Sequence, residues 1–225
     1  MIYYIRIGIL YFILTGYILF TNNVNEPLYA VKNILIPYNY ENNKIILINL
    51  LLNYSFIIIF IMDIIKKCSS AFFMQVYIQQ RCTKTKAYVI ILKRIFKSIG
   101  ILLFIKFIID TIFGNITSLD DVMVLLLFYL LYILTISLWV AIILILYLWN
   151  LSEKQICFLM ISGILIFQYL SFKVPFFNIF IIASKDTLSN VNILIITKII
   201  LLIFLLSISY FKYKQHEIIG GLKND

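Results

Sequence analysis

The chain has little proline, little glycine and few charged residues, and these shortages limit its fold class. Of 225 residues only 3 are proline and 7 are glycine, so the apolar stretches are seldom interrupted. Charged residues make up 13% of the chain, against about a quarter in soluble domains, while 63% is hydrophobic. A water-soluble fold of this length cannot bury that much apolar surface. The composition therefore predicts a single membrane domain.

Histidine and cysteine are also scarce, which argues against a metal centre. The chain has one histidine, His216, and three cysteines, Cys68, Cys82 and Cys157, whose spacing matches no zinc-binding pattern. The GxxxxGK[ST] sequence that cradles nucleotide phosphates does not occur. We therefore expect no cofactor in this chain and no enzyme activity of its own.

What the chain does have is a series of apolar runs, most of them close to the length of about 20 residues that a membrane-spanning helix needs. The runs are continuous rather than alternating, which favours helices over a barrel. We predict an all-α fold in one domain, residues 1–225. Its six transmembrane spans are expected at residues 3–20, 45–65, 98–113, 122–149, 155–170 and 191–210.

A further apolar segment, residues 171–189, is interrupted by Lys173, Pro175, Lys185 and Asp186. It is too short and too broken for another full span. The pattern is typical of an interfacial or re-entrant helix.

The positive charges are unevenly distributed, and this predicts the orientation of the spans. Residues 66–97 hold eight lysine and arginine residues and no acidic residue, and the C-terminal tail adds Lys212, Lys214 and Lys223. Because basic residues collect in cytoplasmic loops, the loop 66–97 and both termini are expected in the cytoplasm, and 171–189 outside. The net charge of +9 is therefore a topology signal rather than a sign of nucleic-acid binding.

Polar residues inside the predicted spans are candidates for a transport path. Lys106 and Asp110, four positions apart, share one helix face, so they either line a path or form a mutual pair that lets the helix insert. Lys198 has no acidic residue within one turn, and either pairs with Asp110 or snorkels to an interface. Asn49 and Asn53 form a polar stripe suited to hydrogen bonds between helices.

Two further patterns concern the ends of spans. Asp63 ends the second span with Lys66 and Lys67 three and four positions on, which indicates local ion pairing. Ser152 is placed to cap the fifth helix, and Glu153 suits its first turn.

The basic segment 66–97 is the most informative part of the sequence. Residues 71–80 predict a short amphipathic helix, with Phe72, Phe73, Val76 and Tyr77 near one face. A turn at residues 82–83 is followed by a helix that re-enters the membrane. Such a helix at the inner face provides a docking surface for a partner; the alternative is a surface helix that holds anionic lipid.

This layout resembles the small permease subunits of ABC-type exporters found with bacteriocin, lantibiotic and other antimicrobial-peptide systems of low-GC Gram-positive bacteria. Members have six spans, a broken segment between the last two, and a loop pattern aromatic-x-x-x-Arg-x-[Ser/Thr]-Lys-x-x-x-aromatic. Here the pattern is Tyr77, Arg81, Thr83, Lys84 and Tyr88.

The resemblance implies a multi-pass cell-membrane subunit that works with a cytoplasmic ATP-binding subunit, which holds ATP and Mg, and with a second permease copy or a related permease. The loop helix then matches the coupling helix that contacts the ATPase. The coupling residues implied are Phe73, Gln75, Tyr77, Gln79, Gln80, Arg81, Thr83 and Lys84.

The favoured function is export of an apolar or amphipathic peptide or a lipid. The main alternative is a non-transporting immunity or scaffold protein that sequesters a toxin or anchors a partner. The substrate-binding subunit of a vitamin importer fits less well, since such subunits rely on small-residue motifs. A membrane enzyme would have to use Lys106, Asp110 and His216, which the predicted topology does not place on one side of the membrane.

Overall fold

A computed structural model of the chain describes residues 2–22, 38–39, 44–45, 47–73, 82–114, 116, 118–171, 174–181 and 191–215. The described residues form six α-helices: α1 (Ile2–Asn22), α2 (Leu47–Phe73), α3 (Lys84–Phe113), α4 (Leu119–Leu148), α5 (Glu153–Ser171) and α6 (Val191–Gln215). A 3₁₀ helix, Pro175–Ile179, lies between α5 and α6. Strands β1 (Tyr38–Asn39) and β2 (Lys44–Ile45), two residues each, pair antiparallel with Tyr38 opposite Ile45. The prediction of an essentially all-helical fold is confirmed.

Three of these helices, α4, α5 and α6, are long and apolar enough to cross a membrane. Helix α1 has a shorter apolar stretch, Tyr4–Tyr17. The second half of α3 is also apolar but carries Lys106 and Asp110. The three long apolar helices agree with the expectation of a membrane protein.

Helix α4 lies at the centre of the bundle. In its most apolar window 72% of the residues are buried, against 28% in α5 and 17% in α6. It packs most extensively on α6 and also contacts α2 and α5. Helix α1 packs on α3, where Gly8 permits a close approach: a Cβ at this position would lie 3.0 Å from Ile105 Cγ2. The outer faces of α1, α5 and α6 remain apolar and exposed, as expected for helices that contact lipid.

Side-chain caps define the starts of three helices. Thr83 accepts a hydrogen bond from the backbone at the start of α3. Ser118 and Asp121 form a capping box at the start of α4. Ser152 and Gln155 exchange the same pair of hydrogen bonds at the start of α5, so the predicted Ser152 cap is confirmed.

The end of α4 forms a tight reversal into α5. Asn150 adopts the left-handed conformation with φ 60°, which asparagine tolerates better than most residues. Its N–H donates to Tyr147 O at 2.9 Å, and the N–H of Leu151 donates to Leu146 O at 3.4 Å. This Schellman arrangement satisfies the last carbonyls of α4 and turns the chain within a few residues.

Basic residues from distant parts of the sequence lie at one end of the bundle. Tyr4 on α1 and Ser98 on α3 are hydrogen-bonded at 2.6 Å, and Ser98 donates to Asp63 on α2 at 2.8 Å. Lys84 Nζ at the start of α3 donates to Lys214 O at the end of α6, at 3.1 Å. We call this the basic end. Its cations include Lys66, Lys67, Lys84, Lys86, Lys93, Arg94, Lys97, Lys212 and Lys214.

Candidate functional site

A buried polar cluster joins α1, α3 and α4. Lys106 forms an ion pair with Asp110 one turn along α3. Tyr11 of α1 donates to Asp110 Oδ1 at 2.5 Å, and Tyr129 of α4 donates to Asp110 Oδ2 at 2.5 Å. Both charged side chains are buried, Asp110 at 1% exposure and Lys106 at 3%. We call Tyr11, Lys106, Asp110 and Tyr129 the aspartate cluster.

Aromatic rings surround the ammonium group of this cluster. Lys106 Nζ lies 5.1 Å from the ring centroid of Tyr11, 5.4 Å from that of Tyr129 and 4.7 Å from that of Tyr132. Rings at these distances stabilise a cation through their quadrupoles. The Tyr132 hydroxyl is buried and has no hydrogen-bond partner among the described residues. The rings therefore separate the ion pair from the surrounding apolar helices.

The aspartate cluster is closed in this conformation. The cavity beside it has a volume of about 10 Å³ and is lined mainly by apolar residues of α1, α2 and α3. That is roughly the space of a single water molecule, about 10–15 Å³. The expected pairing of Lys106 with Asp110 is confirmed. A role of the two residues in a substrate path stays a prediction.

A second polar site holds the segment 174–181 against α4 and α6. Lys198 Nζ on α6 donates to Ile179 O at 3.0 Å and to Ile181 O at 2.7 Å. Trp139 Nε1 on α4 donates to Phe180 O at 3.1 Å. Three consecutive carbonyls, 179 to 181, therefore accept hydrogen bonds from two helices. We call these carbonyls and their donors the carbonyl cradle.

Lys198 also donates to Thr135 Oγ1 at 2.6 Å, and the Thr135 hydroxyl in turn contacts Leu131 O at 2.8 Å. The aromatic rings of Phe167, Phe177 and Phe180 stack beside the segment, with centroids 4.7 Å apart for Phe167 and Phe180. Polar bonds on one side and ring stacking on the other thus fix the 3₁₀ helix at this end of the bundle.

Both expectations for Lys198 are wrong. Its ammonium bonds to Thr135 and to backbone carbonyls rather than to Asp110, and its side chain is 0% exposed, so it does not snorkel to an interface. The physical reason is the 3₁₀ helix Pro175–Ile179, which ends beside Lys198. The last carbonyls of a helix carry partial negative charge and lack intrahelical donors. They compensate the cation without an acidic side chain.

The expectation for Asp63 is also wrong. Asp63 is buried and accepts a hydrogen bond from Ser98, while Lys66 is exposed. No ion pair joins Asp63 to Lys66 or Lys67, all three of which the structure describes. The carboxylate faces α3 because the Ser98 hydroxyl, fixed by Tyr4, provides a donor in the core.

Only two of the predicted coupling residues lie fully among the described residues. Thr83 caps α3 by accepting from Lys86 N at 3.4 Å, and Lys84 contacts Lys214 O. Outside the described part of the chain lie the side chains of Phe73, Asn49 and Asn53, and the whole of Gln75, Tyr77, Gln79, Gln80, Arg81 and His216.

The start of α3 contacts the end of α6 through hydroxyl groups of which only that of Tyr88 belongs to a residue of the loop pattern. Tyr88 OH donates to Ser209 Oγ at 3.0 Å, and the hydroxyls of Thr85 and Tyr210 lie 3.0 Å apart. The Tyr88 ring packs on Tyr210 and Tyr213. Burial raises the pKa of the Tyr88 phenol, which therefore remains a donor. Only the aromatic that closes the loop pattern, Tyr88 itself, was a sequence signal for this contact.

Comparisons of the chain with protein-family models, with curated proteins and with solved structures find no match. Among the described residues, no group of three or more histidine, cysteine, aspartate or glutamate side chains is arranged to hold a metal ion.

Proposed function

We propose that the chain is the transmembrane subunit of an ATP-driven exporter. It crosses the cell membrane six times with both termini in the cytoplasm, and it pairs with a second permease. A separate cytoplasmic subunit binds ATP and Mg and hydrolyses the nucleotide. The cargo is an apolar or amphipathic peptide, or a lipid, that leaves between the two permeases.

The observation that carries this proposal is the continuity of α3. This helix runs without interruption for 30 residues, from the loop pattern at Lys84 to the aspartate cluster at Asp110 and beyond. At a rise of about 1.5 Å per residue, Lys84 and Asp110 are about 40 Å apart. A movement of the first turn by a bound ATPase is therefore transmitted along one rigid rod to the buried ion pair.

The contacts of α6 extend the same route to the opposite end of the bundle. The start of α3 contacts α6 through Tyr88 and Ser209. Further along α6, Lys198 holds the carbonyls of the 174–181 segment. A shift of α6 that follows α3 therefore changes the carbonyl cradle. This arrangement suits a transporter in which a cytoplasmic motion opens an extracellular segment.

The orientation follows from the basic end. Nine lysine and arginine residues from three sections of the chain share that end, and such residues are retained on the cytoplasmic side during insertion. With the basic end in the cytoplasm, the carbonyl cradle faces the outside. The ATPase then meets the loop pattern, as the proposal requires.

The immunity or scaffold alternative has one observation in its favour. The buried charges Asp63, Lys106, Asp110 and Lys198 all have partners inside the chain, and the cavity at the aspartate cluster is about 10 Å³. A single copy in this conformation thus holds no open path at that point. In the proposed exporter the cargo moves between two permeases and needs no path through one copy. A scaffold needs no path at all.

Isolation of the tagged full chain from its native membrane in mild detergent tests the proposal. The eluate should hydrolyse ATP, and Arg81→Glu should remove that activity because it alters the loop pattern. Lys93→Glu, an equal charge change at an exposed site on α3, should retain it. A chain that elutes without ATPase activity, and whose cellular phenotype survives deletion of neighbouring ATPase genes, would favour the scaffold.

A further inference from the structure

Three cationic side chains line one pocket at the basic end, in the seam between α1, α2 and α3. The pocket has a volume of about 240 Å³, and its cations are Lys67 from α2 and Arg94 and Lys97 from α3. Three residues that carry hydroxyl groups, Tyr4, Ser70 and Ser98, also line the pocket. We propose that this pocket binds the phosphate headgroup of an anionic phospholipid from the cytoplasmic leaflet.

The side chains present suit a phosphate. A guanidinium group binds two phosphate oxygens in a planar fork, and lysine ammonium groups add point charges. Basic pockets between membrane helices on the cytoplasmic side are a known form of headgroup site. Arg94 and Lys97 are exposed and lie three positions apart on one helix face, so both reach a ligand at the mouth.

The floor of the pocket is rigid and carries one negative charge. Ser98 donates to Asp63 Oδ2 at 2.8 Å and is hydrogen-bonded to Tyr4 at 2.6 Å, so all three side chains are fixed. The Asp63 carboxylate lies behind Ser98 and is buried. Among the described residues that line the pocket or lie directly behind it, three are cationic and one, Asp63, is acidic.

An apolar stripe on α3 favours a lipid over a free phosphate ion. Ile101, one turn beyond Lys97, is the apolar residue that lines the pocket. The stripe continues along the same side of the helix with Phe104, 63% exposed, and Ile108, 41% exposed. A headgroup held by Arg94 and Lys97 therefore places its acyl chain along exposed apolar side chains. The site needs no ATPase and does not depend on the transport role.

Native mass spectrometry of the purified full chain with added phosphatidylglycerol tests the proposal. The double variant R94Q/K97Q should bind the lipid about tenfold to thirtyfold more weakly, since each basic side chain that contacts the headgroup contributes roughly a factor of five. The matched control K86Q/K93Q removes two exposed charges from the same helix outside the pocket and should change binding less than about threefold. Equal losses in the two pairs would overturn the proposal, because they indicate only a general attraction of the basic end.

Further measurements test whether the headgroup must be anionic and whether the ligand is a lipid or free phosphate. Phosphatidylcholine, which has a phosphate but no net charge, should bind at least about tenfold more weakly than phosphatidylglycerol; equal binding would contradict the site. Inorganic phosphate in excess should leave the lipid bound, whereas displacement by phosphate would overturn the lipid assignment. Lys97→Arg keeps the charge and should retain binding at an unchanged melting temperature; loss of binding there would also count against the proposal.

Discussion

The phenol of Tyr11 on α1 donates a 2.5 Å hydrogen bond to Asp110 on α3, which lies 99 positions further along the chain. The same carboxylate accepts from Lys106 on its own helix and from Tyr129 on α4. Three helices therefore meet at one buried acidic group. Asp110 therefore links three helices of the bundle, and variants that remove its partners should lower the stability of the protein.

We expect Lys106→Met to destabilise the protein by about 3–5 kcal/mol, because it leaves the buried Asp110 carboxylate without its cation. Tyr11→Phe removes one hydrogen bond to a charged group and should cost less, about 1.5–3 kcal/mol. The measurement is the unfolding of the purified chain by denaturant in detergent.

The double variant Lys106→Met/Asp110→Leu is the control, since it removes both charges and should recover much of the loss. If Lys106→Met alone is as stable as the original chain, the ion pair does not hold these helices together.

The aspartate cluster shows which contacts of the site can be predicted from the sequence and which cannot. Lys106 and Asp110 are recognisable as a pair because an i,i+4 spacing is local. Tyr11 and Tyr129 are not recognisable as their partners, since the chain holds 16 tyrosines and only the packing of α1 and α4 brings these two to Asp110.

The bonding partners of Lys198 and Asp63 cannot be predicted from the spacing of residues along the chain. The acceptors of Lys198 are mostly backbone carbonyls, which every residue carries, so no residue type marks them in the sequence. Asp63 has lysines within one turn, yet a serine on another helix holds it in the core. The class of fold and its helices followed from composition and periodicity, whereas these partners depend on tertiary packing.

Lys198→Met should release the 174–181 segment. The carbonyls of Ile179 and Ile181 lose their ammonium donor, while Trp139 still bonds to Phe180. Hydrogen exchange of the segment should accelerate by at least about tenfold, since each lost charged hydrogen bond is worth roughly 1.5–3 kcal/mol and about 1.4 kcal/mol corresponds to a factor of ten.

Thr197→Ala is the matched control on the adjacent position. Among the described residues the Thr197 hydroxyl bonds to carbonyls of its own helix, so its loss should leave exchange in residues 174–181 unchanged. If the segment exchanges at the same rate in the Lys198→Met protein as in the original chain, other contacts hold it.

Labelling of the cysteines tests which side of the membrane the basic end faces. Cys82 is half-buried just before α3, whereas Cys68 is fully buried, and burial raises the pKa of its thiol. A raised pKa means less thiolate at any given pH, so Cys68 should stay unlabelled between pH 7 and pH 9 (roughly the range around a free cysteine pKa of about 8.5).

A membrane-impermeant maleimide should label Cys82 in inside-out vesicles and not in right-side-out vesicles. Cys82→Ser should abolish the signal, and Cys157→Ser should leave it in place. Labelling of Cys82 in right-side-out vesicles would reverse the proposed orientation.

The contact between Tyr88 and Ser209 should couple α3 to α6. Tyr88→Phe and Ser209→Ala each remove one hydroxyl of a 3.0 Å hydrogen bond, so the double variant should be less destabilising than the sum of the two. We expect a coupling energy of about 1 kcal/mol in a double-mutant cycle. Additive effects would mean that the two helix ends do not act together.

ATP-driven accumulation in inside-out vesicles tests the central claim most directly. Vesicles that contain the chain and the proposed ATP-binding subunit are given a fluorescent amphipathic peptide and Mg-ATP. The account predicts accumulation that stops without ATP and in the Arg81→Glu variant, and that persists in Lys93→Glu. Accumulation that is the same with and without ATP, or no accumulation although both subunits are present, would contradict the exporter.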